Sequence, residues 1–237
     1  MVKHPTSKRV HGDAEVEDAF VARVVEYSEW ARRNTRIVTA AAVVLFIAVA
    51  AVLFWRNHQE RLNTRAASRL TEIQQTVASG NTALAQQDLE GYLDTFSGTD
   101  PAGEARILLA QLYVDDGRFR EALEAVEPLA RDLDDPMGTP AAFLRAAAYE
   151  GMDQAGQAEQ AYLSIADDAP LEFQQQRALA EAARIRMDQG NPGGAAEIYR
   201  RLVEALDEGH PERGIYQMRL AEAETAAAAG SAAAPSG

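Results

Sequence analysis

Four times between residues 80 and 199 the chain sets a turn residue, an Ala five positions later and a large apolar residue four beyond that. The instances are Gly80, Ala85 and Leu89; Gly117, Ala122 and Val126; Asp153, Ala158 and Tyr162; and Gly190, Ala195 and Tyr199. The Ala-to-Ala steps are 37, 36 and 37 residues. A period of that length, held in register at three positions, marks a chain assembled from stacked copies of one supersecondary unit. Each position has a physical role in a helix-turn-helix. Gly tolerates the left-handed backbone that ends a first helix. Ala, one turn into the second helix, lets two helices approach closely, and the large residue four later fills the adjoining groove. The segment after residue 56 is rich in Ala, Leu, Glu, Gln and Arg, with almost no alternating β-branched residues, so it reads as all-α.

The first helices of the units add further regular positions: Leu109, Ala110 and Tyr113 in the second unit, Ala146 and Tyr149 in the third. Pro170 stands where the third unit should stop. The segment therefore resembles a tetratricopeptide repeat (TPR) array, with intervals a few residues longer than the usual ~34. Units one and four depart from the pattern, with Thr76 and Arg186 at the aromatic position and Pro192 near the last turn, as terminal units do when they cap an array. Pro211 to Ala229 reads as a final capping helix, and 230–237 as a frayed tail.

The resemblance implies a concave face lined by the first helices. It assigns Leu70, Gln74 and Val77 to that face in unit one, and Ile107, Gln111, Val114 and Asp115 in unit two. Phe143, Ala147 and Glu150 follow in unit three, and Arg177, Arg184 and Met187 in unit four. Gln74, Ile107, Gln111, Val114, Phe143, Glu150, Arg177 and Arg184 are the candidate partner-binding residues. Arg177 and Arg184 lie seven apart on one helical face. Two readings of them stay open: together they hold a carboxylate of a client peptide, or they pair with Glu150, Glu181 or Asp188 inside the array.

Ahead of the repeats, Ile37 to Trp55 forms a run of nineteen residues with no charge, Gly, Pro, Asn or Gln. As a helix it would rise about 28 Å, close to the roughly 30 Å of a bilayer's hydrocarbon core. Arg32, Arg33 and Arg36 fence one end and Arg56 the other, with the only tryptophans, Trp30 and Trp55, at or near the two ends. A buried core helix would be shorter or show a polar face. A cleaved signal sequence fits poorly, because the Ala48-Val49-Ala50 site lies inside the run and 36 residues precede it. The run reads as an uncleaved membrane anchor. Arginines are balanced across it, so orientation leans on the tight cluster at 32–36, which puts the N-terminus in the cytoplasm. Before the run, Asp13 to Arg33 carries Val16, Phe20, Val24, Tyr27 and Ala31 at helical spacing. It is either a surface or docking helix or a plain extension of the anchor.

The expected architecture is thus all-α: a 1–36 cytoplasmic tail, a single transmembrane helix at 37–55, a TPR-like α-solenoid of about four units with a C-terminal capping helix at 56–229, and the 230–237 tail. This layout resembles the YfgM-like family of bacterial inner-membrane proteins. That resemblance implies an ancillary subunit of the SecYEG translocon that takes part in periplasmic chaperoning, with the repeat domain in the periplasm. The implied partners are translocon subunits, envelope chaperones or client polypeptides, besides membrane lipid around one helix. The alternative is a structural scaffold of an envelope assembly or cell-division complex, or a self-associating array, without chaperone activity.

Charge and composition narrow the chemistry. Residues 56–237 carry sixteen Arg against thirty Asp and Glu, the wrong balance for a phosphate-backbone ligand, so nucleic acid is excluded as a partner class. Zero Cys excludes disulfides and thiolate ligands. His4, His11, His58 and His210 sit apart without metal-ligand spacing. Asp132, Asp134, Asp135 and Gly138 miss the calcium-loop register and read as a solvated loop. Gly190 to Gly194 is Gly-rich but lacks the following Lys of a phosphate-binding loop. The expectation is a non-enzyme that needs no cofactor and no metal.

Overall fold

The computed structural model describes residues 32–233; the amphipathic stretch of the N-terminal tail, with His4, His11 and Trp30, lies outside the described residues. The chain divides into two compact units, Met1–Glu60 and Arg61–Gly237. The described residues form nine principal helices and no strand.

In the first unit the apolar run lies within α1 (Thr35–Ala78). Every side chain from Ile37 to Trp55 is exposed, so none of this oily surface is hidden in a core. α1 is, among the described residues, the one helix long and apolar enough to cross a membrane. Straight-chain residues and Ala then carry the helix beyond Trp55 without a break.

The second unit takes α1 from Arg61 and adds α2 (Thr82–Phe96), α3 (Ala102–Asp115), α4 (Phe119–Val126), α5 (Gly138–Gly151), α6 (Ala155–Asp168), α7 (Glu172–Asp188), α8 (Pro192–Ala205) and α9 (Arg213–Ala233). From α2 onward each helix packs on its successor, and α3 also packs on α5. Contacts therefore follow the sequence, as in a quasi-one-dimensional repeat array.

The repeat positions have the geometry their chemistry predicts. Gly80, Gly117, Asp153 and Gly190 are the four residues with left-handed φ among the described residues, at 82°, 73°, 59° and 71°. At each turn that residue's N–H bonds a carbonyl three back, and the next N–H reaches one five back. In unit two these bonds are Gly117 to Val114 at 3.0 Å and Arg118 to Tyr113 at 2.8 Å. In unit three, Asp153 bonds Glu150 and Gln154 bonds Tyr149, both at 2.9 Å. This is the Schellman arrangement, which satisfies carbonyls left over at a helix end. The residue after each turn stands at the N-cap of the following helix, and in units one and four it is an Asn whose side chain accepts from the backbone, Asn81 from the Leu84 N–H at 3.4 Å and Asn191 from the Gly194 N–H at 3.0 Å. Pro192 then occupies the first turn of α8, where its missing N–H costs nothing.

Ala85, Ala122, Ala158 and Ala195 have no exposed surface, and Leu89, Val126, Tyr162 and Tyr199 are buried beside them. A Leu at any of the four Ala sites would force neighbouring helices apart, at about 1–3 kcal/mol. Ala169 takes an extended conformation ahead of Pro170 and ends α6. The final helix starts two residues later than its sequence signal and continues to Ala233, four residues into the stretch read as a tail. The Arg213 guanidinium ties it to α8 by donating to the carbonyl oxygens of Val203, at 2.8 Å, and Leu206.

Candidate functional site

The first helices of units two, three and four, α3, α5 and α7, each turn one face to a common cavity of about 520 Å³. Ile107, Gln111 and Val114 come from α3, Phe143 and Ala147 from α5, and Arg177 from α7. Helical spacing of three and four puts each set on one side of its helix. Six of the residues assigned to the concave face from the sequence, five of them candidate partner-binding residues, thus meet at one place. Tyr162, expected only as a repeat filler, also reaches this cavity from α6. Thr139, Leu144, Phe173 and Gln174 line it without having been anticipated. Phe173 was detectable as a large apolar residue in the first turn of a unit, and it remains 64% exposed. Gln174 carried no sequence signal.

The remaining candidates are placed elsewhere. Leu70 is in the core, not on the open face. Gln74 donates to Glu104 at 2.7 Å, linking α1 to α3, and lines neither of the two cavities described here. Arg184 and Met187 line a second cavity of about 480 Å³ between α7 and α9, with Glu181, Asp188, Arg219 and Glu222. Arg177 and Arg184 therefore line different cavities, which leaves the joint hold on one carboxylate, one of the two open readings, without a shared site. Seven residues along one helix are enough to carry them past different neighbours.

Their electrostatics differ accordingly. Arg184 meets Glu150 across the repeat, Glu181 at 2.9 Å and Asp188 at 3.1 Å. Burial alone would lower its guanidinium, but the bonds to Glu150 and Glu181 outweigh this and hold it above its ordinary value. Glu150 also accepts from the Tyr162 hydroxyl at 2.8 Å. Burial first, and that bond second, push the Tyr162 hydroxyl up. Of the two readings of Arg184, the array's own carboxylates prevail. Arg177 has no such partners: its guanidinium lies over the Phe143 ring, 4.6 Å from the centroid.

The off-pattern positions have structural explanations. Arg186, where an aromatic was expected, donates to Glu159 at 2.7 Å and to the Gly194 carbonyl at 3.1 Å, joining units three and four by charge where Tyr113 and Tyr149 would use a ring. Tyr113 bonds Glu90, lies beneath Arg118 and is pushed up to about 12 by burial first and Glu90 second. Gln86, a buried polar residue with no sequence signal, donates to Asp116 and accepts from Arg118 at 3.3 Å. In the 132–138 loop the Asp132 and Asp135 carboxylates accept from the backbone N–H groups of Asp134 at 3.2 Å and Met137 at 2.7 Å, which is turn chemistry. His58 stacks against Phe54, and His210 accepts from the Glu212 N–H at 3.2 Å.

A model of the tetratricopeptide repeat-like domain matches residues 28–225, and the chain belongs to that family. Repeat domains of this class are protein-interaction scaffolds. No curated protein matches the chain. Among solved structures, the chain is similar to the nearly identical TPR-like repeats of a Podosopora anserina kinesin light chain, with a TM-score of 0.55 at 20% identity. That match covers 70% of this chain and 88% of the other. It is also similar to a tetratricopeptide repeat protein from Parabacteroides merdae, with a TM-score of 0.55 at 14% identity, covering 68% of this chain and 60% of that one. At such identities the likeness establishes the fold, a TPR-like α-solenoid.

Proposed function

We propose that this chain is a membrane-anchored protein-interaction module of the bacterial inner membrane, with its repeat domain on the periplasmic side, acting beside the SecYEG translocon on client polypeptides. The observation that carries the reading is the α3–α5–α7 cavity, where apolar Ile107, Val114 and Phe143 stand beside polar Gln111 and Arg177. A mixed wall of that kind suits an extended polypeptide, whose backbone and side chains alternate in polarity. The charge-free run from Ile37 to Trp55, wholly exposed, supports anchoring. An anchor raises the module's effective concentration toward any membrane-bound partner without adding a contact. The YfgM-like layout supports the translocon as that partner.

The test places a photo-crosslinking residue at Gln111 of the full-length chain in intact bacterial cells and identifies the captured proteins. Translocon subunits and exported polypeptides in transit are the expected products. Capture of only a fixed set of envelope-assembly or division proteins would replace the client-handling role with a scaffolding one. A protease-accessibility assay that found the repeat domain on the cytoplasmic face would overturn the topology.

A further inference from the structure

Among the described residues Arg177 is the only charged one that lines the α3–α5–α7 cavity, in a segment where acids outnumber arginines thirty to sixteen. The cavity between α7 and α9, by contrast, holds Glu181, Asp188 and Glu222 around its two arginines. Among the described residues Arg177 makes no ion pair and no hydrogen bond, and its contact with the Phe143 ring orients the guanidinium without filling any of its N–H donors. The cavity therefore offers a cation in want of an anion, above the apolar floor of Ile107, Val114 and Phe143.

We infer that this cavity selects a single Asp or Glu side chain carried by an extended, otherwise apolar or neutral segment of a partner polypeptide. The carboxylate accepts from Arg177, and apolar side chains of the same segment cover Ile107, Val114 and Phe143. An inorganic anion would meet the first demand and not the second. The balance of acids over arginines in residues 56–237 works against a run of acids in the guest, because the repulsion of the whole domain grows with each added charge while the cavity holds one cation to receive it. One carboxylate is favoured and several are not. The inference rests on the polypeptide-binding reading above and specifies its chemistry.

The test uses the full chain in phosphatidylcholine nanodiscs and fluorescence anisotropy with nonapeptide pools blocked at both ends, so that side chains supply the only carboxylates. The pools have Leu, Val, Phe, Ala and Ser at the outer positions and differ in a central Glu or Gln. A charge-assisted bond to Arg177 should make the Glu pool bind about tenfold tighter than the Gln pool. Arg177→Gln should abolish that preference, so that the Glu and Gln pools bind the variant alike, and Arg177→Lys should restore part of it. A pool with four Glu should bind more weakly than the single-Glu pool at low salt. Equal binding of the Glu and Gln pools, or a preference that survives Arg177→Gln, overturns the inference and leaves polypeptide binding standing. Failure of every pool to bind overturns both.

Discussion

Arg177 and Arg184 are the same residue type on the same helix, two turns apart, and the structure gives them opposite surroundings. Arg184 is held by carboxylates from its own helix and from α5. Arg177 has an aromatic ring and, among the described residues, no carboxylate. The difference comes from what α5 presents to each: Phe143 near its start, Glu150 near its end. A guanidinium matched inside the array is part of the scaffold, while one that is left unmatched is available to a partner.

The comparison can be broken in several ways. The largest effect is expected from Gly138→Ala, since a Cβ there would stand 1.6 Å from the Asp132 carbonyl oxygen and the start of α5 would have to move. Because α5 positions both Phe143 and Glu150, the substitution should disturb both arginines together and lower stability by about 2–3 kcal/mol in urea unfolding of the full chain. Glu150→Leu should act directly on Arg184 and, through the Tyr162 ring 6.0 Å from Phe143, more weakly on the Arg177 side. It leaves the buried Tyr162 hydroxyl without its acceptor and should cost about 2 kcal/mol in the same unfolding measurement.

A third prediction concerns pH. The Tyr162 and Tyr113 hydroxyls are both raised above the ordinary tyrosine value, so the folded state keeps protons that the unfolded chain releases. Their contribution is fully present below pH ~10 and is lost as pH climbs from there through the folded values. Thermal melts at rising pH should therefore show stability falling above pH ~10, and Tyr162→Phe should flatten the fall. If Tyr162→Phe leaves the slope unchanged, the Glu150–Tyr162 link does not set that stability.

The smallest effect separates the two arginines directly. Arg184→Gln should lower stability by about 1 kcal/mol, because its partners are partly solvated. Arg177→Gln should cost about 0.5 kcal/mol, the scale of an exposed cation–π contact. Equal losses measured by thermal unfolding would erase the distinction between a structural and an available guanidinium.

Much of the fold was legible in the chain because the repeat is enforced by local sterics. A left-handed turn selects Gly, and Asp153 fills the same role at 59° because a short polar side chain tolerates that conformation. A close helix crossing selects Ala, and both signatures survive in the letters alone. The cavity was legible in part: Ile107, Gln111, Val114, Phe143 and Arg177 follow from helical spacing and from the resemblance to tetratricopeptide arrays. Gln74, Leu70 and Arg184 did not follow. Which face is open depends on the neighbouring helix, and in the first and last units the neighbours differ from the repeat's average. The Arg186–Glu159 bond shows the same limit from the other side, since a charged residue at a ring position is uninterpretable until its partner on α6 is known.

The sequence alone determined the helical class, the phase of the repeat, the four turns and the long charge-free run, because each depends on the conformational limits or hydropathy of a few consecutive residues. The tertiary structure decided which polar groups are matched and which remain open. Glu150 reaches Arg184 and Tyr162, and Phe143 lies under Arg177, only because separate helices stack at a set distance and rotation. Pairing across helices depends on geometry accumulated over whole units, and no local stretch of residues encodes it.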